Sequence, residues 1–115
     1  MKKLFVLLFL SFLPFLGQAQ RKIEKTIKVS GVCEMCKERI ETALDVKGIV
    51  FSEYSVEKQE LLVVYKPKKI EWSAIEKLVL DAGHDVGETK ANDKCYNALN
   101  ACCKYRSQEV IDAHK

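Results

Sequence analysis

The chain has 115 residues, of which 48% are hydrophobic and 30% charged, with 19 basic and 16 acidic side chains for a formal net charge of +3. That length holds one small domain with a modest core, and so even a charge balance excludes a surface built for nucleic acid or an anionic membrane. Two histidines in all, no Gly-rich phosphate loop, no nucleophile with a base at recognisable spacing and acids scattered rather than paired exclude hydrolytic and transferase chemistry, so no enzymatic activity is expected.

Lys2 and Lys3 precede an almost unbroken apolar run over residues 4–16, followed by Gly17, Gln18 and Ala19. This pattern reads as a signal peptide, residues 1–19, cleaved after Ala19; the run is well short of the roughly 20 apolar residues a membrane span needs. The mature chain is then periplasmic or secreted and nearly neutral. All five cysteines, Cys33, Cys36, Cys95, Cys102 and Cys103, lie in it. An odd number in an oxidising compartment leaves at least one thiol outside any intramolecular pairing, so a purely structural disulfide framework is incomplete.

Residues 23–29, "IEKTIKV", alternate as a strand. From Glu34 the period changes to helical, with Cys36, Ile40, Ala43 and Leu44 on one face, and Lys47 and Gly48 close that helix. Two further strands, 49–56 and 60–66, are joined by a polar turn at 57–59 as an antiparallel hairpin. A second helix runs from Trp72 to Ala82, with Gly83 as its cap, Glu71 as a weak N-cap and Ile70 and Ile75 placed as a hydrophobic staple. "HDVGE", 84–88, reads as a short last strand.

The order βαββαβ predicts an α+β ferredoxin-like sandwich, with two helices on one face of a four-stranded antiparallel sheet. The expected core is Ile27, Val29, Ile40, Leu44, Ile49, Val56, Leu61, Val63, Ile75, Leu78, Val79 and Val86. A domain over residues 20–90 is followed by a Cys-rich tail, 91–115, in which Asn92 or Asp93 caps a short helix with Tyr96 and Leu99 on one side.

Cys33 falls in the loop after the first strand and Cys36 in the first turn of a helix, where free N–H groups and the helix dipole favour a thiolate. Two such sulfurs suit a soft ion, Cu(I), Zn or Hg, and not Mg or Ca. Both are expected near the surface, where an ion can be handed on. The rival readings are an exported thiol–disulfide redox protein using the same Cys-x-x-Cys, and a disulfide-stapled binding domain. The redox reading lacks the element order of a thioredoxin fold and any proline beside the thiols, since Pro67 precedes the second helix.

The stretch 23–88 resembles a heavy-metal-associated domain, the module of copper chaperones, metal-pumping ATPases and the periplasmic mercury-binding protein. The likeness rests on "VSGVCEMCKERIETAL", "VKGI", "ELLVVY" and "LDAGHDV". It implies that Cys33 and Cys36 are the metal ligands, that Cu(I) sits between their thiolates in near-linear geometry, and that it passes through three-coordinate intermediates to a membrane metal transporter or another metal-binding protein. It leaves monomer and metal-bridged dimer both open. Gly31 stands where the family usually carries a Met that anchors the loop in the core. His84 stands where relatives carry Tyr, Phe, Lys or His close to the thiols, as a third ligand, a hydrogen-bonding partner, or an ordinary histidine at a helix end; Asp85 either orients its ring or is solvated. "GHD" with "KANDKCYNALNACCKYR" resembles a tail of some exported bacterial members. Cys102 and Cys103, adjacent and so poorly placed to bond to each other, join Cys33 and Cys36 in a three- or four-sulfur site if the tail folds back; the alternative is a disulfide from Cys95 to one of them. His114, near the terminus, is assigned no role.

Overall fold

The computed structural model describes residues 21–114; the leader expected over residues 1–19 lies outside them. Three strands, β1 (Ile23–Lys28), β2 (Ile49–Ser55) and β3 (Glu60–Tyr65), and two ten-residue helices, α1 (Glu34–Ala43) and α2 (Trp72–Asp81), are followed by a tail of short pieces. The tail comprises α3 (Asp93–Asn97), a 3-10 turn (Ala101–Cys103) and α4 (Gln108–Ala113). No helix among the described residues is long and apolar enough to cross a membrane.

β3 lies in the centre of the sheet, antiparallel to both neighbours, in the order β1-β3-β2. Its alternation sends Leu61, Val63 and Tyr65 inward and leaves Leu62 and Val64 on the other face. On β1 the inward side carries Lys25, whose ammonium lies 4.3 Å over the Trp72 ring, so its aliphatic stem crosses the edge of the core while the charge stays in water. A register shift between Ile49 and Phe51 bulges β2; beyond it Phe51 is 48% exposed and Tyr54 is buried.

Four strands were expected, and the sheet among the described residues has three. Of the segment 84–88 only Val86 pairs, in an antiparallel bridge to Val29 flanked by hydrogen bonds from Ser30 N to Asp85 O (3.0 Å) and from Gly87 N to Lys28 O (2.8 Å). The segment thus takes the edge position beside β1, but Gly87, at φ +55°, turns the chain at once and Val86 pairs next with Thr89. One residue later than a strand could start, the backbone has doubled back. The fold remains the ferredoxin-like α+β sandwich, with its last strand reduced to a bridge.

Val29, Ile40, Leu44, Leu61, Val63, Ile75, Val79 and Val86 form the buried core as expected, with Ile27, Ile49, Val56 and Leu78 packed partly buried against it. Tyr54 and Tyr65 complete it. Ile70 and Ile75 both reach this core, consistent with a staple, and Glu71 caps α2 without a side-chain hydrogen bond. Arg39 on α1 donates to the carbonyl of Ala82 (2.9 Å), fixing the end of α2 beside α1 and hence the segment after Gly83 beside the α1 N-terminus. A second, smaller cluster sits there: Cys33, Cys36, Leu99, Cys103 and Tyr105, flanked by Val32, Tyr96 and Cys102.

Candidate metal centre

The loop that carries the first cysteine is held by its backbone carbonyls. Tyr54 Oη donates to Val29 O (2.6 Å), His84 Nδ1 to Ser30 O (2.8 Å) and Gln59 Nε2 to Gly31 O (2.8 Å). Three consecutive carbonyls that leave the sheet are therefore each satisfied by a side chain from a different part of the domain. Gly31 is what lets Tyr54 do this, because a Cβ there would stand 2.8 Å from Tyr54 Oη and 3.1 Å from Cys36 Cβ. The tyrosine occupies the room beneath a residue that has no side chain of its own.

Cys33 follows as the N-cap of α1 in extended conformation (φ −149°, ψ 169°), and Cys36 is the third helical residue. Their sulfurs lie 3.3 Å apart, a non-bonded distance. Both were expected near the surface, yet Cys36 is fully buried and Cys33 is 9% exposed. The cause is the tail. Asn92 caps α3 through Oδ1, which accepts from Cys95 N–H (2.8 Å), and Lys104 donates to the carbonyls of Tyr96 and Asn97 that end this helix. Leu99 and Tyr105 are then laid over the thiols, and Cys103 Sγ comes to 3.2 Å from Cys33 Sγ. Among the described residues the sulfurs of Cys33, Cys36 and Cys103 all lie within 4.8 Å of one another, the arrangement in which one cation could touch all three.

Cys102 stands to the outside, 3.6 Å from Cys33 Sγ and 3.4 Å from the thioether of Met35. All five thiols are free, so the disulfide from Cys95 to the adjacent pair is not made; Cys95 is half-buried and outside the second cluster. His114 bonds Val110 O in the last helix, exposed and away from the cluster.

His84 is fully buried but is not one of the three gathered ligands. A carbonyl only accepts, so its bond to Ser30 O places the proton on Nδ1 and leaves Nε2 as a bare lone pair, buried without a partner among the described residues. Burial, followed by Arg39 nearby, holds the ring's pKa below the ordinary histidine value and outweighs the Ser30 bond, so the imidazole is neutral. It stacks at 5.6 Å on Tyr105. Its place in the site is structural on both sides: it carries the Cys33 loop and receives the tail. Asp85 does not orient that ring. It accepts from Ala91 N–H (2.8 Å), from Arg106 Nη2 (2.9 Å) and from Tyr105 Oη (3.0 Å), while its own N–H donates to Tyr105 Oη.

The four clustered thiols do not ionise alike. Burial pushes Cys33 up, but the neighbouring thiols of Cys103 and Cys36, the Cys36 N–H and Cys102 outweigh it, and its pKa falls below the ordinary thiol value. Burial raises Cys36. Burial, then the Cys36 and Cys33 sulfurs, raises Cys103 strongly, and the contact with Cys33 raises Cys102. The first negative charge of the cluster therefore settles on Cys33, at the positive end of α1 and in contact with all three other sulfurs.

Tyr54, Gln59, Met35, Tyr105 and Arg106 are parts of this site that spacing alone did not single out. Met35 carried the one available signal, an apolar side chain between the two cysteines on an otherwise charged helical turn.

Comparison with known proteins follows the same boundary. Residues 26–85 match the family described as the heavy-metal-associated domain, so the tail that supplies Cys102 and Cys103 lies beyond the matched segment. Among solved structures, the chain is similar to a CopZ metallochaperone, with 27% identity and a TM-score of 0.54 over 56% of this chain and 98% of that one. It is likewise similar to the water-soluble region of the P-type ATPase CopA from Bacillus subtilis, with 25% identity and a TM-score of 0.57 over 60% of this chain and 47% of that one. A putative copper-ion-binding protein from Bacillus anthracis shares the fold at 20% identity, TM-score 0.56, over 59% and 99%. Curated protein sequences give no match.

Proposed function

The chain belongs to the heavy-metal-associated domain family, and on that premise we propose that it binds a soft cation, Cu(I) before Zn or Hg, as cargo to be buffered or passed on outside the cytoplasm, without catalysing a reaction. The observation that carries this reading is the gathering of Cys33, Cys36 and Cys103 within 4.8 Å, three thiols whose only common chemistry besides disulfide formation is coordination of a thiophilic ion. Three sulfurs each about 2.3 Å from one ion, the thiolate–zinc distance, stand about 4 Å apart, so these side chains need to open by tenths of an ångström. A trigonal thiolate site suits Cu(I); Zn asks for a fourth ligand in a tetrahedron.

The similarity to a metallochaperone and to the soluble region of a P-type ATPase supports a membrane metal transporter or a second metal-binding protein as recipient. Delivery outside the cytoplasm draws its support from the apolar leader pattern of residues 4–16. The buried cluster makes this chain a tighter holder of its cargo than an exposed thiol pair, and the tail must lift before a partner's thiols can reach Cys36.

The test is an anaerobic titration of the reduced chain with Cu(I) against a chromophoric chelator. Uptake by the wild type, with affinity falling at least about tenfold in Cys33→Ser, Cys36→Ser and Cys103→Ser, is the expected result; a tenfold loss corresponds to about 1.4 kcal/mol. A fully reduced chain that takes up no copper, zinc or mercury ends the reading.

A further inference from the structure

The sulfur cluster contains more ligands than one trigonal ion uses. We propose that it is a two-ion site: an inner soft monovalent cation held by Cys33, Cys36 and Cys103, and an outer one held by Cys33, Cys102 and the thioether of Met35, with the Cys33 sulfur shared between them. This rests on the reading that the cluster binds a soft cation at all, and it adds the number of ions, the ligands of the second and the side from which ions enter.

The sulfurs form a closed group of three on one side of Cys33 and a chain of two contacts, through Cys102 to Met35, on the other. Cys33 Sγ lies 3.3 Å from Cys36 Sγ and 3.2 Å from Cys103 Sγ on the buried side. On the other side it lies 3.6 Å from Cys102 Sγ, which in turn lies 3.4 Å from Met35 Sδ. The chain reaches this by two local devices. Cys102 and Cys103 are consecutive in a 3-10 turn, so their side chains diverge, one into the cluster and one to its outer edge. Met35 is the second residue of α1, between the two cysteines, and 44% exposed; Asn100 Nδ2 lies 3.8 Å from its sulfur.

The two sets of ligands differ in chemistry. The inner is three thiols that are buried or nearly so. The outer has one half-buried thiol, one shared thiol and a neutral thioether open to water. A thioether carries no proton to lose and no charge, so it attracts soft monovalent ions such as Cu(I) and offers little to Zn. An ion held by fewer charged ligands at the surface is held less tightly than one inside, so the outer position is the port through which the inner one fills and empties.

The charge balance is definite. Two monovalent cations and four thiols give a cluster of net charge −2 and release four protons; four S–H bonds are replaced by sulfur–metal bonds, and no electron changes hands. Cys33 is the sulfur able to bridge, because it alone touches the thiols on both sides and a thiolate has lone pairs for two ions.

The experiment is Cu(I) loading of the full reduced chain under anaerobic conditions, with metal analysis, sedimentation to establish the monomer, and X-ray absorption at the copper edge. Two coppers per monomer with a copper–copper scattering vector are expected. Cys102→Ser and Met35→Leu are each expected to fall to one copper per monomer and to lose that vector; both positions face the surface, and circular dichroism checks that each variant is folded. One copper per wild-type monomer, two coppers found only in a dimer, or a second copper retained in both variants overturns the two-ion site and leaves soft-ion binding standing. No copper in the wild type overturns both.

Discussion

Arg106 Nη2 lies 2.9 Å from Oδ1 of Asp85, joining the second residue after the Gly83 cap to the tail that closes the thiol cluster. The pair is mostly shielded, with Asp85 13% and Arg106 27% exposed, and Arg106 also donates to Ala91 O (2.8 Å) while its guanidinium lies 4.2 Å over the Tyr96 ring. Hydrogen bonds to a charged group of this kind contribute about 1.5–3 kcal/mol. Arg106→Ala is therefore expected to loosen the tail before the sandwich: Cys36, fully buried in the wild type, becomes reactive toward an aromatic disulfide reagent at a rate raised at least about tenfold. Unchanged thiol reactivity would mean that Asp85 does not fasten the tail.

The same carboxylate sets an acid limit. Burial pushes Asp85 up, but Arg106, the Ala91 N–H and Tyr105 outweigh it and hold its pKa below the ordinary carboxylate value. A depressed carboxylate stabilises the folded form fully above the ordinary value, and that contribution is lost as the pH falls through the folded one. Protection against hydrogen exchange, relative to the intrinsic rate at each pH, should fall in residues 93–106 below about pH 4, ahead of β3, and Asp85→Asn should lack that protection already at pH 7.

Beneath the first cysteine, Tyr54 and Gly31 depend on each other. Gly31→Ala puts a methyl 2.8 Å from Tyr54 Oη, an overpacking expected to cost about 1–3 kcal/mol in urea unfolding. Tyr54→Phe alone removes the bond to Val29 O, about 1 kcal/mol. In the double variant the clashing oxygen is gone, so the two costs should fall short of their sum by at least about 0.5 kcal/mol; strict additivity would place the strain elsewhere.

The two helices, the hairpin and β1 were legible because each carries its own period, and eight of the expected core positions are buried on that basis. The last strand was not, because Val86 looks like a strand residue while Gly87 and the demands of Asp85, whose backbone and carboxylate serve the tail, stop pairing after one bridge. Cys33 and Cys36 were legible as a pair from their spacing at a helix start. Their burial was not, since it depends on Leu99, Cys103 and Tyr105 returning over a sequence distance that no local pattern spans. Tyr54 was hidden by the bulge at Ile49 and Phe51, and Gly31 read as a departure because its meaning lies in a tyrosine 23 positions away.

Gly83 joins the helix cap to the tail. Its φ is +102°, and a Cβ there would stand 2.7 Å from Cys95 O and 3.0 Å from Leu99. Gly83→Ala combines a left-handed backbone that L residues resist with a clash against α3, and is expected to cost about 2–5 kcal/mol, from strain of about 1–2 and overpacking of about 1–3. The part owed to α3 is separable, because deleting residues 91–115 should reduce the cost of the substitution to the backbone strain alone. An equal loss in full-length and truncated chains, measured by urea unfolding, would show that the tail does not rest on Gly83.

Histidine 84 gives the domain a second pH dependence, at a higher pH than Asp85. Its ring is neutral when folded because burial lowers its pKa, whereas in the unfolded chain it titrates near the ordinary value of about 6.5. Between those two values the unfolded chain binds the extra proton, so stability is complete above about pH 6.5 and declines as the pH falls toward the folded pKa, at up to about 1.4 kcal/mol per pH unit. The charged ring would also sit with Nε2 buried and unpartnered beside Arg39, and its carbonyl bond to Ser30 cannot compensate for that. Urea midpoints measured from pH 7.5 to pH 5 should fall in the wild type and stay level in His84→Gln, whose overall stability is lower because the Ser30 carbonyl and the Tyr105 ring lose their partner. A wild-type midpoint flat over that range would place the imidazole in a setting that tolerates its charge, and its role as the neutral post between the Cys33 loop and the tail would fall with it.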